Sequence, residues 1–295
     1  MVGRSAQIDK SVRHEEFVNV DKEFKNKTGK VYPLIPKFLI RYVKRKVHQD
    51  RLNWALHIYK GYKSFEFLDV VLNEEFGVNI KVKNFDNLPK EGRYIVASNH
   101  PLGGLDGMAL MHVVGKKRQD IKFIVNDLLY GLINLRELFL PINKHGKNAS
   151  EIIKSMEEIY TSDKLVLIFP AGLVSRKRKG KIKDLEWKKS FITKSIQHKR
   201  DIIPVHIDGK NSKAFYRLAK FRKFFRIKLN LEMFLLPDEM FKQQDKNITI
   251  TFGKPIPYTT FTKEYNHYEW AQMVKEHVYT LPSGNNTFNV IKKNK

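Results

Sequence analysis

The chain has 295 residues, of which 42% are hydrophobic and 29% charged, and this composition excludes an intrinsically disordered protein. Its 55 Lys and Arg residues outnumber the 31 Asp and Glu residues, which gives a formal net charge of +24 and predicts an anionic partner: nucleic acid, anionic lipid or an acidic protein. The absence of cysteine excludes disulfides, thiolate metal sites and a cysteine nucleophile.

The sequence contains no pattern typical of membrane insertion. No apolar run approaches the roughly 20 residues that cross a bilayer. The longest, Leu165 to Val174, is short and contains Pro170, Ala171 and Gly172. The first 20 residues carry several charges and no apolar segment, so the sequence predicts no secretory signal peptide and a cytoplasmic location.

The N-terminal part of the chain has a helical pattern. From Val31 to about Lys63, apolar residues recur at helical spacing, and the other side of the predicted helix is basic, with Lys37, Arg41, Lys44, Arg45 and His48. A second helix is predicted over Ser64 to Phe76. Residues 1–77 are therefore expected to be a helical segment that lies on a membrane surface.

From Gly92 onward, short β-branched and aromatic runs alternate with helical patterns. The predicted strands are Tyr94 to Ser98, Lys122 to Val125, Leu138 to Ile142, Leu165 to Phe169, Ile202 to Ile207, Leu229 to Leu236 and Ile248 to Phe252. The predicted crossover helices are Gly107 to Gly115, Ala149 to Tyr160 and Trp187 to His198. This alternation predicts an α/β fold with a largely parallel sheet flanked by helices. A C-terminal helix capped at Thr262 is expected to follow.

The most informative pattern for function follows the strand Tyr94 to Ser98. Asn99 and His100 come directly after it, and a glycine-containing loop leads from them to Asp106. In open α/β sheets, functional groups gather at the carboxyl ends of the strands. A histidine there can fold back onto the carboxylate, which then orients the imidazole as a general base. The same spacing also fits an ordinary strand-to-helix loop with a surface histidine and an Asp N-cap.

Two further segments extend this pattern, and the ordered set resembles the glycerophosphate/lysophospholipid acyltransferase superfamily. The segments are Phe169 to Arg176, reading Phe-Pro-Ala-Gly-Leu-Val-Ser-Arg, and Ile203 to Ile207, reading Ile-Pro-Val-His-Ile. Leu138 to Lys144 lies where the second family motif is expected. The sequences Gly209-x-Asn211-Ser212 and Asp184-Leu-Glu-Trp187 are similar to the hemolysin-annotated branch, which is linked to ornithine- and glycine-lipid synthesis.

The resemblance implies an acyltransferase domain over residues 78–260, followed by a C-terminal helix and tail over 261–295. It implies that His100 is the general base on an acceptor hydroxyl and that Asp106 orients it. The residues expected to bind the acceptor are Arg176, Ser175, Gly172 and Lys144. The residues expected to support the loop are Asn99, Gly103 and Gly104. No metal is expected, because the remaining histidines show no ligand spacing.

The resemblance also implies a set of partners. No cofactor is expected, and an acyl thioester of acyl carrier protein or of coenzyme A acts as co-substrate. The acceptor is a lysolipid, either a lyso-amino-acid lipid or lysophosphatidic acid. The positive charge favours the acidic acyl carrier protein as donor and an anionic membrane surface, on the inner face of the cell membrane, as the place of reaction. Nucleic acid is not expected as a partner.

Two departures from the family pattern keep alternatives open. The His-to-Asp spacing is one residue longer than is common, and Ala171 stands where the family usually has Glu. A catalytically inactive, membrane-binding relative therefore stays possible, as does a basic nucleic-acid-binding protein. Two basic segments are each open to two interpretations. Arg176 to Lys189, with eight Lys or Arg residues, fits a solvated loop or a docking site for acyl carrier protein or anionic lipid. Lys213 to Lys228, where aromatic residues alternate with basic ones, fits core packing or a helix at a bilayer surface.

Overall fold

A computed structural model describes residues 17–126, 129, 131–142, 149–226 and 230–290. These residues form two compact units. The first comprises the described residues up to Val78 together with those of Asn211–Lys246, and the second comprises those of Asn79–Lys210 and from Asn247 onward. Within the described ranges, no helix combines the length and the apolar composition that crossing a membrane requires.

The described part of the second unit contains a seven-stranded sheet with the order β1-β9-β8-β2-β5-β3-β4. Its strands are β1 (Asn79–Lys83), β2 (Tyr94–Ser98), β3 (Ile121–Val125), β4 (Phe139–Pro141), β5 (Leu165–Ile168), β8 (Asp201–Asp208) and β9 (Asn247–Phe252). Neighbouring strands are parallel except for the antiparallel pair of β8 and β9. A separate antiparallel hairpin consists of β6 (Arg176–Arg178) and β7 (Lys181–Lys183).

The described α-helices are α1 (Val20–Thr28), α2 (Lys37–Val47), α3 (Gln49–Ile58), α4 (Ser64–Val70), α5 (Gly104–Gly115), α6 (Ala149–Thr161), α7 (Ser190–His198), α8 (Lys213–Phe224), α9 (Leu236–Phe241) and α10 (His267–Val278). A π-helical turn, Val71–Phe76, continues α4. Helices α5, α6, α7 and α10 belong to the second unit, and the others belong to the first.

The central strands are buried apolar runs, which is why they form the interior of a parallel sheet. Ile95, Val96 and Ala97 in β2 are fully buried, as are the first three residues of β5. The core of the second unit joins these strands to Trp187 and to the buried side of α10, including Trp270. This rigid centre carries the end of β2, from which the predicted site residues emerge.

The fold class and most of the strands are confirmed, and three predicted elements are wrong. The helix predicted over Val31 to Lys63 is two helices, because His48 adopts a left-handed conformation (φ 53°, ψ 41°) between α2 and α3. The strand predicted over Leu229 to Leu236 is helical in its described part: Leu231–Leu235 forms a 3₁₀ helix that leads into α9. Its apolar run serves a helical interface, where Glu232 is buried and paired with Arg222.

The third wrong prediction concerns the cap of the C-terminal helix. Asn266 caps α10, not Thr262: its side chain accepts hydrogen bonds from the backbone N–H groups of Tyr268 and Glu269, both at 3.0 Å. The Glu269 carboxylate in turn accepts from the Asn266 backbone at 2.9 Å, which completes a capping box. Strand β1 was not predicted, although its residues alternate between polar Asn79, Lys81 and Lys83 and apolar Ile80 and Val82; the strand is short and mostly exposed.

Candidate active site

The end of β2 is fixed to its neighbour by Asn99. The Asn99 side-chain amide donates to the carbonyl of Ile207 at 2.9 Å, and its carbonyl accepts from the Ile207 backbone at 2.7 Å. Because Ile207 belongs to β8, this pair of hydrogen bonds extends the β2–β8 contact beyond the last ladder pair, Ser98 with Val205. The backbone that leads into His100 is therefore held to the sheet by the Asn99 side chain.

The imidazole of His100 is paired with the carboxylate of Asp106. Its Nδ1 atom lies 3.0 Å from Oδ1 and 3.1 Å from Oδ2. The Asp106 side chain is completely buried, whereas the His100 side chain is 17% exposed. With Nδ1 occupied by the carboxylate, Nε2 is the ring nitrogen available for proton exchange with a substrate.

The additional residue between His100 and Asp106 is accommodated in the loop before α5. Gly103 adopts φ 95° and ψ −127°, a conformation that side chains rarely permit, and α5 begins at Gly104. The Asp106 carboxylate then accepts from the backbone N–H groups of Leu102 at 2.7 Å and Gly103 at 3.3 Å. The longer spacing therefore preserves the His-Asp pair, because the turn occurs before the helix rather than within it.

Charged groups around His100 make its imidazole more basic than usual. Burial lowers the pKa of His100, but the adjacent Asp106 carboxylate and, to a smaller extent, Asp184 raise it, while Arg176 lowers it. The carboxylates prevail, and the pKa of His100 is raised from its ordinary value. Such a group binds a proton readily, as a general base must.

One face of the imidazole is covered by Phe169. The two rings are stacked, with centroids 4.1 Å apart and an interplanar angle of 19°. Phe123 contacts Phe169 edge-on, with centroids 5.1 Å apart, and fixes the orientation of that ring. Phe169 begins the Phe-Pro-Ala-Gly segment, so the stacking brings this segment together with the loop from Asn99 to Asp106 at one side of the sheet.

The residues predicted to bind the acceptor lie in or near the same loop, with one exception. The Ser175 backbone donates to the His100 carbonyl at 2.7 Å. Arg176 is buried, and its guanidinium donates to the carbonyls of Val174 and Ser175. Gly172 is exposed in a left-handed turn (φ 65°). The predicted role of Lys144 falls outside the described residues.

Three further residues meet at this site that received no role from the sequence. Asp184 is buried and accepts from Ser175 and Trp187 side chains, and the hydroxyl of Tyr279 accepts from its backbone. The segment Asp184-Leu-Glu-Trp187, in which two acids follow a strongly basic run, is a signal that could have pointed to Asp184. Tyr279 follows α10, nearly a hundred residues later, and no local pattern indicates its position.

The family described as Acyltransferase matches residues 23–287. The crystal structure of the 1-acyl-sn-glycerophosphate acyltransferase of Thermotoga maritima matches with a TM-score of 0.47 and 16% identity, covering 90% of this chain and 95% of that one.

Two curated relatives are much more similar. A lyso-glycine lipid O-acyltransferase of Bacteroides thetaiotaomicron is 48% identical over 265 residues, which cover 90% of this chain and 97% of the relative. An enzyme of the same name from Phocaeicola vulgatus is 44% identical over 265 residues, which cover 90% of this chain and 95% of the relative. With a family match over most of its length and relatives at this identity, the chain belongs to the acyltransferase family and is an acyltransferase.

Proposed function

We propose that the enzyme transfers a fatty acyl group from a thioester to the hydroxyl of a lyso-glycine lipid. The observation that carries this proposal is the His100–Asp106 pair, in which Nδ1 is held by a buried carboxylate. The acceptor class is taken from the two relatives at 44% and 48% identity, which are named for this lipid.

In the proposed reaction, His100 Nε2 removes the proton of the acceptor hydroxyl as that oxygen attacks the thioester carbonyl. The new C–O ester bond forms and the C–S bond breaks. The proton on His100 then passes to the departing thiolate, so that the products are an ester and a free thiol. Asp106 orients the ring and stabilises its cationic form between the two proton transfers. No acyl-enzyme is required.

The acceptor's anionic head group is proposed to bind beside Arg176. A glycine attached through its nitrogen retains a carboxylate, and a guanidinium is well suited to bind that group. Arg176 lowers the pKa of His100, so its charge acts on the imidazole. Gly172 leaves its turn without a side chain, and Ala171 packs in the apolar core instead of offering the usual Glu to the acceptor. Together these features favour a small carboxylate head group.

The thioester donor is proposed to be acyl carrier protein or coenzyme A. The hairpin of β6 and β7 starts at Arg176, and its exposed residues Lys177, Arg178, Lys179 and Lys181 form a cationic surface. Both donors are anionic, and the acidic carrier protein presents the larger complementary surface. Residues Arg176 to Lys183 form this hairpin instead of an irregular loop, so the backbone of β6 and β7 fixes the positions of the cationic residues.

The enzyme is proposed to reach its lipid acceptor as a peripheral protein on the inner face of the cell membrane. In the first unit, α2 and α8 both contact the 3₁₀ helix Leu231–Leu235. Each presents aromatic side chains to solvent, including Phe38 on α2 and, on α8, Phe221 and Phe224, which are 53% and 79% exposed. Basic residues flank them, which is the composition of interfacial helices. Phe215, by contrast, is buried, so only part of the aromatic pattern of α8 serves packing.

The acceptor is tested by assaying the purified enzyme with lyso-glycine lipid and, separately, with lysophosphatidic acid. Each acceptor is offered with acyl carrier protein and coenzyme A thioesters, and products are identified by mass spectrometry. The proposal predicts that lyso-glycine lipid gains one acyl chain with the higher kcat/KM. Equal or faster acylation of lysophosphatidic acid would overturn the acceptor assignment.

A further inference from the structure

A second buried carboxylate, Asp184, is bonded to the backbone of His100. Its Oδ1 atom accepts from the His100 backbone N–H at 3.2 Å and from the Ser175 hydroxyl at 2.6 Å. Its Oδ2 atom accepts from the Trp187 indole N–H at 2.9 Å. The side chain is 5% exposed, and burial raises the pKa of this carboxyl; the hydrogen bonds from Ser175, Trp187 and the His100 backbone lower the pKa and offset only part of that effect.

Asp184 and Ser175 together form hydrogen bonds with both the N–H and the carbonyl of the His100 backbone. The Ser175 backbone N–H donates to the His100 carbonyl at 2.7 Å, and the Asp184 carboxylate accepts from the N–H of the same residue. Both polar backbone groups of His100 are thus bonded to residues that flank the β6–β7 hairpin. The Tyr279 hydroxyl accepts the Asp184 backbone N–H at 2.7 Å and ties this arrangement to the end of α10.

We propose that Asp184 is a positioning residue of the active site, which fixes the backbone of His100 while Asp106 fixes its ring. This inference rests on the role of general base proposed for His100. Without Asp184, the His100 N–H, the Ser175 hydroxyl and the Trp187 indole would each lose a buried acceptor. If the His100 backbone lost its hydrogen bond to Asp184, Nε2 would no longer stay aligned with the acceptor hydroxyl, even with the contact between the His100 ring and Asp106 intact.

Asp184 also acts on the imidazole through its charge. The charged groups that face His100 are Asp106 from α5, Asp184 from the segment after β7 and Arg176 from β6. Both carboxylates raise the pKa of His100, and Arg176 lowers it. Replacing Asp184 by Asn removes one of the two raising charges, so the pKa of His100 is expected to fall. A residue with only a packing role would not produce this shift.

The test measures the His100 ring pKa directly by NMR titration of the full-length protein labelled with ¹⁵N-histidine. The His100 signal is assigned by its loss in His100→Gln. Asp184→Asn is compared with Asp201→Asn as a matched control. Asp201 lies at the start of β8, paired with Tyr94 at the opposite end of β2, and accepts a backbone hydrogen bond from Tyr258 at 2.9 Å.

The proposal predicts a lower His100 pKa in Asp184→Asn and an unchanged one in Asp201→Asn. The acidic limb of the kcat/KM profile should move to lower pH in the same variant. Its kcat should fall about 10- to 100-fold, with the acceptor KM retained, because misplacement of the base acts on the chemical step. An unchanged His100 pKa in folded Asp184→Asn would overturn the inference.

If Asp184→Asn does not fold, Tyr279→Phe provides the second variant, because it removes one hydroxyl and changes no charge. A roughly tenfold lower kcat with unchanged acceptor KM supports the inference, and wild-type kcat in the folded variant contradicts it. The NMR titration does not depend on any substrate. Full activity of His100→Ala would refute the role of His100 as base, whereas an unchanged ring pKa in folded Asp184→Asn would refute the role inferred for Asp184 and leave that of His100 intact.

Discussion

The backbone N–H of Leu102 donates a 2.7 Å hydrogen bond to Oδ2 of Asp106, four residues along the chain. This contact holds the carboxylate against the loop before α5, while Oδ1 and Oδ2 lie 3.0 and 3.1 Å from the His100 Nδ1 atom. The loop thus orients Asp106, and Asp106 orients His100. Substitutions of Asp106 or His100 should therefore affect the reaction.

Asp106→Asn should lower kcat by about 100-fold or more. The amide keeps the size of the side chain, but it lacks the charge that stabilises protonated His100 and favours the wrong tautomer. Steady-state kinetics of acyl transfer measure the effect, and Asp86→Asn, a fully exposed position, is the control. Near-wild-type kcat in a folded Asp106→Asn protein would show that the pair has no catalytic role.

The same pair predicts opposite pH trends for activity and stability. Because the pKa of His100 is raised above its ordinary value of 6.5, kcat/KM should rise with pH through a midpoint above 6.5. The protonated ring stabilises the fold fully below the unfolded pKa, and this contribution is lost as pH rises through the folded pKa. The Tm advantage of wild type over His100→Gln should therefore shrink over the range where activity grows. A constant Tm difference would contradict the raised pKa.

The sheet was predictable because its strands are buried apolar runs with no competing pattern, as in β2 and β5. The His-Asp pair was predictable because His100 and Asp106 belong to one short loop. The cap of α10 was predicted at the wrong residue, although the sequence distinguishes the two candidates: Asn266 has Glu269 three residues later, the spacing of a capping box, whereas Thr262 has Tyr265 there. The Asp184 contacts depend on segments that meet only in the folded chain, so spacing could not reveal them.

Arg176→Ala should raise the acceptor KM by about tenfold or more, because it removes a charge-assisted contact with the head group. Arg176→Lys should recover part of the binding, since it keeps the charge but loses the planar fork. Lys254→Ala, which removes an exposed cation of the same unit outside the β6–β7 hairpin, is the control. If only the KM of the acyl donor changed, Arg176 would belong to the donor site instead.

Membrane binding should depend on α2. Lys44 is paired with Asp21, so reversing its charge would disturb the fold, whereas Arg41 and Arg45 are exposed. Each cation near an anionic surface contributes about 1 kcal/mol, so Arg41→Glu with Arg45→Glu should weaken binding to anionic vesicles about 30-fold or more.

Vesicle sedimentation at low and high salt measures this effect. Lys254→Glu with Lys263→Glu, an equal charge change at exposed sites of the second unit, is the control. Activity on detergent-dispersed acceptor should be retained in both variants. Equal sedimentation of the α2 variant and wild type would exclude α2 as the membrane contact and direct the test to Phe221 and Phe224.

Asn266→Ala should lower the free energy of unfolding by about 1 kcal/mol, because two N–H groups at the start of α10 lose their acceptor. Thr262→Ala should cost less, since the Thr262 hydroxyl accepts only a 3.4 Å contact from Glu264. Urea denaturation of both variants measures the difference. A larger loss for Thr262→Ala would contradict the observed cap.

The most direct test of the proposed mechanism compares acyl transfer to lyso-glycine lipid by wild type, His100→Ala and His112→Gln. His112 lies on α5, the helix that carries Asp106, and has no assigned role in the reaction. Removal of a positioned base should reduce kcat of folded His100→Ala by about 100-fold or more, while His112→Gln retains wild-type kcat. Wild-type turnover by folded His100→Ala would contradict the proposal that His100 is the general base.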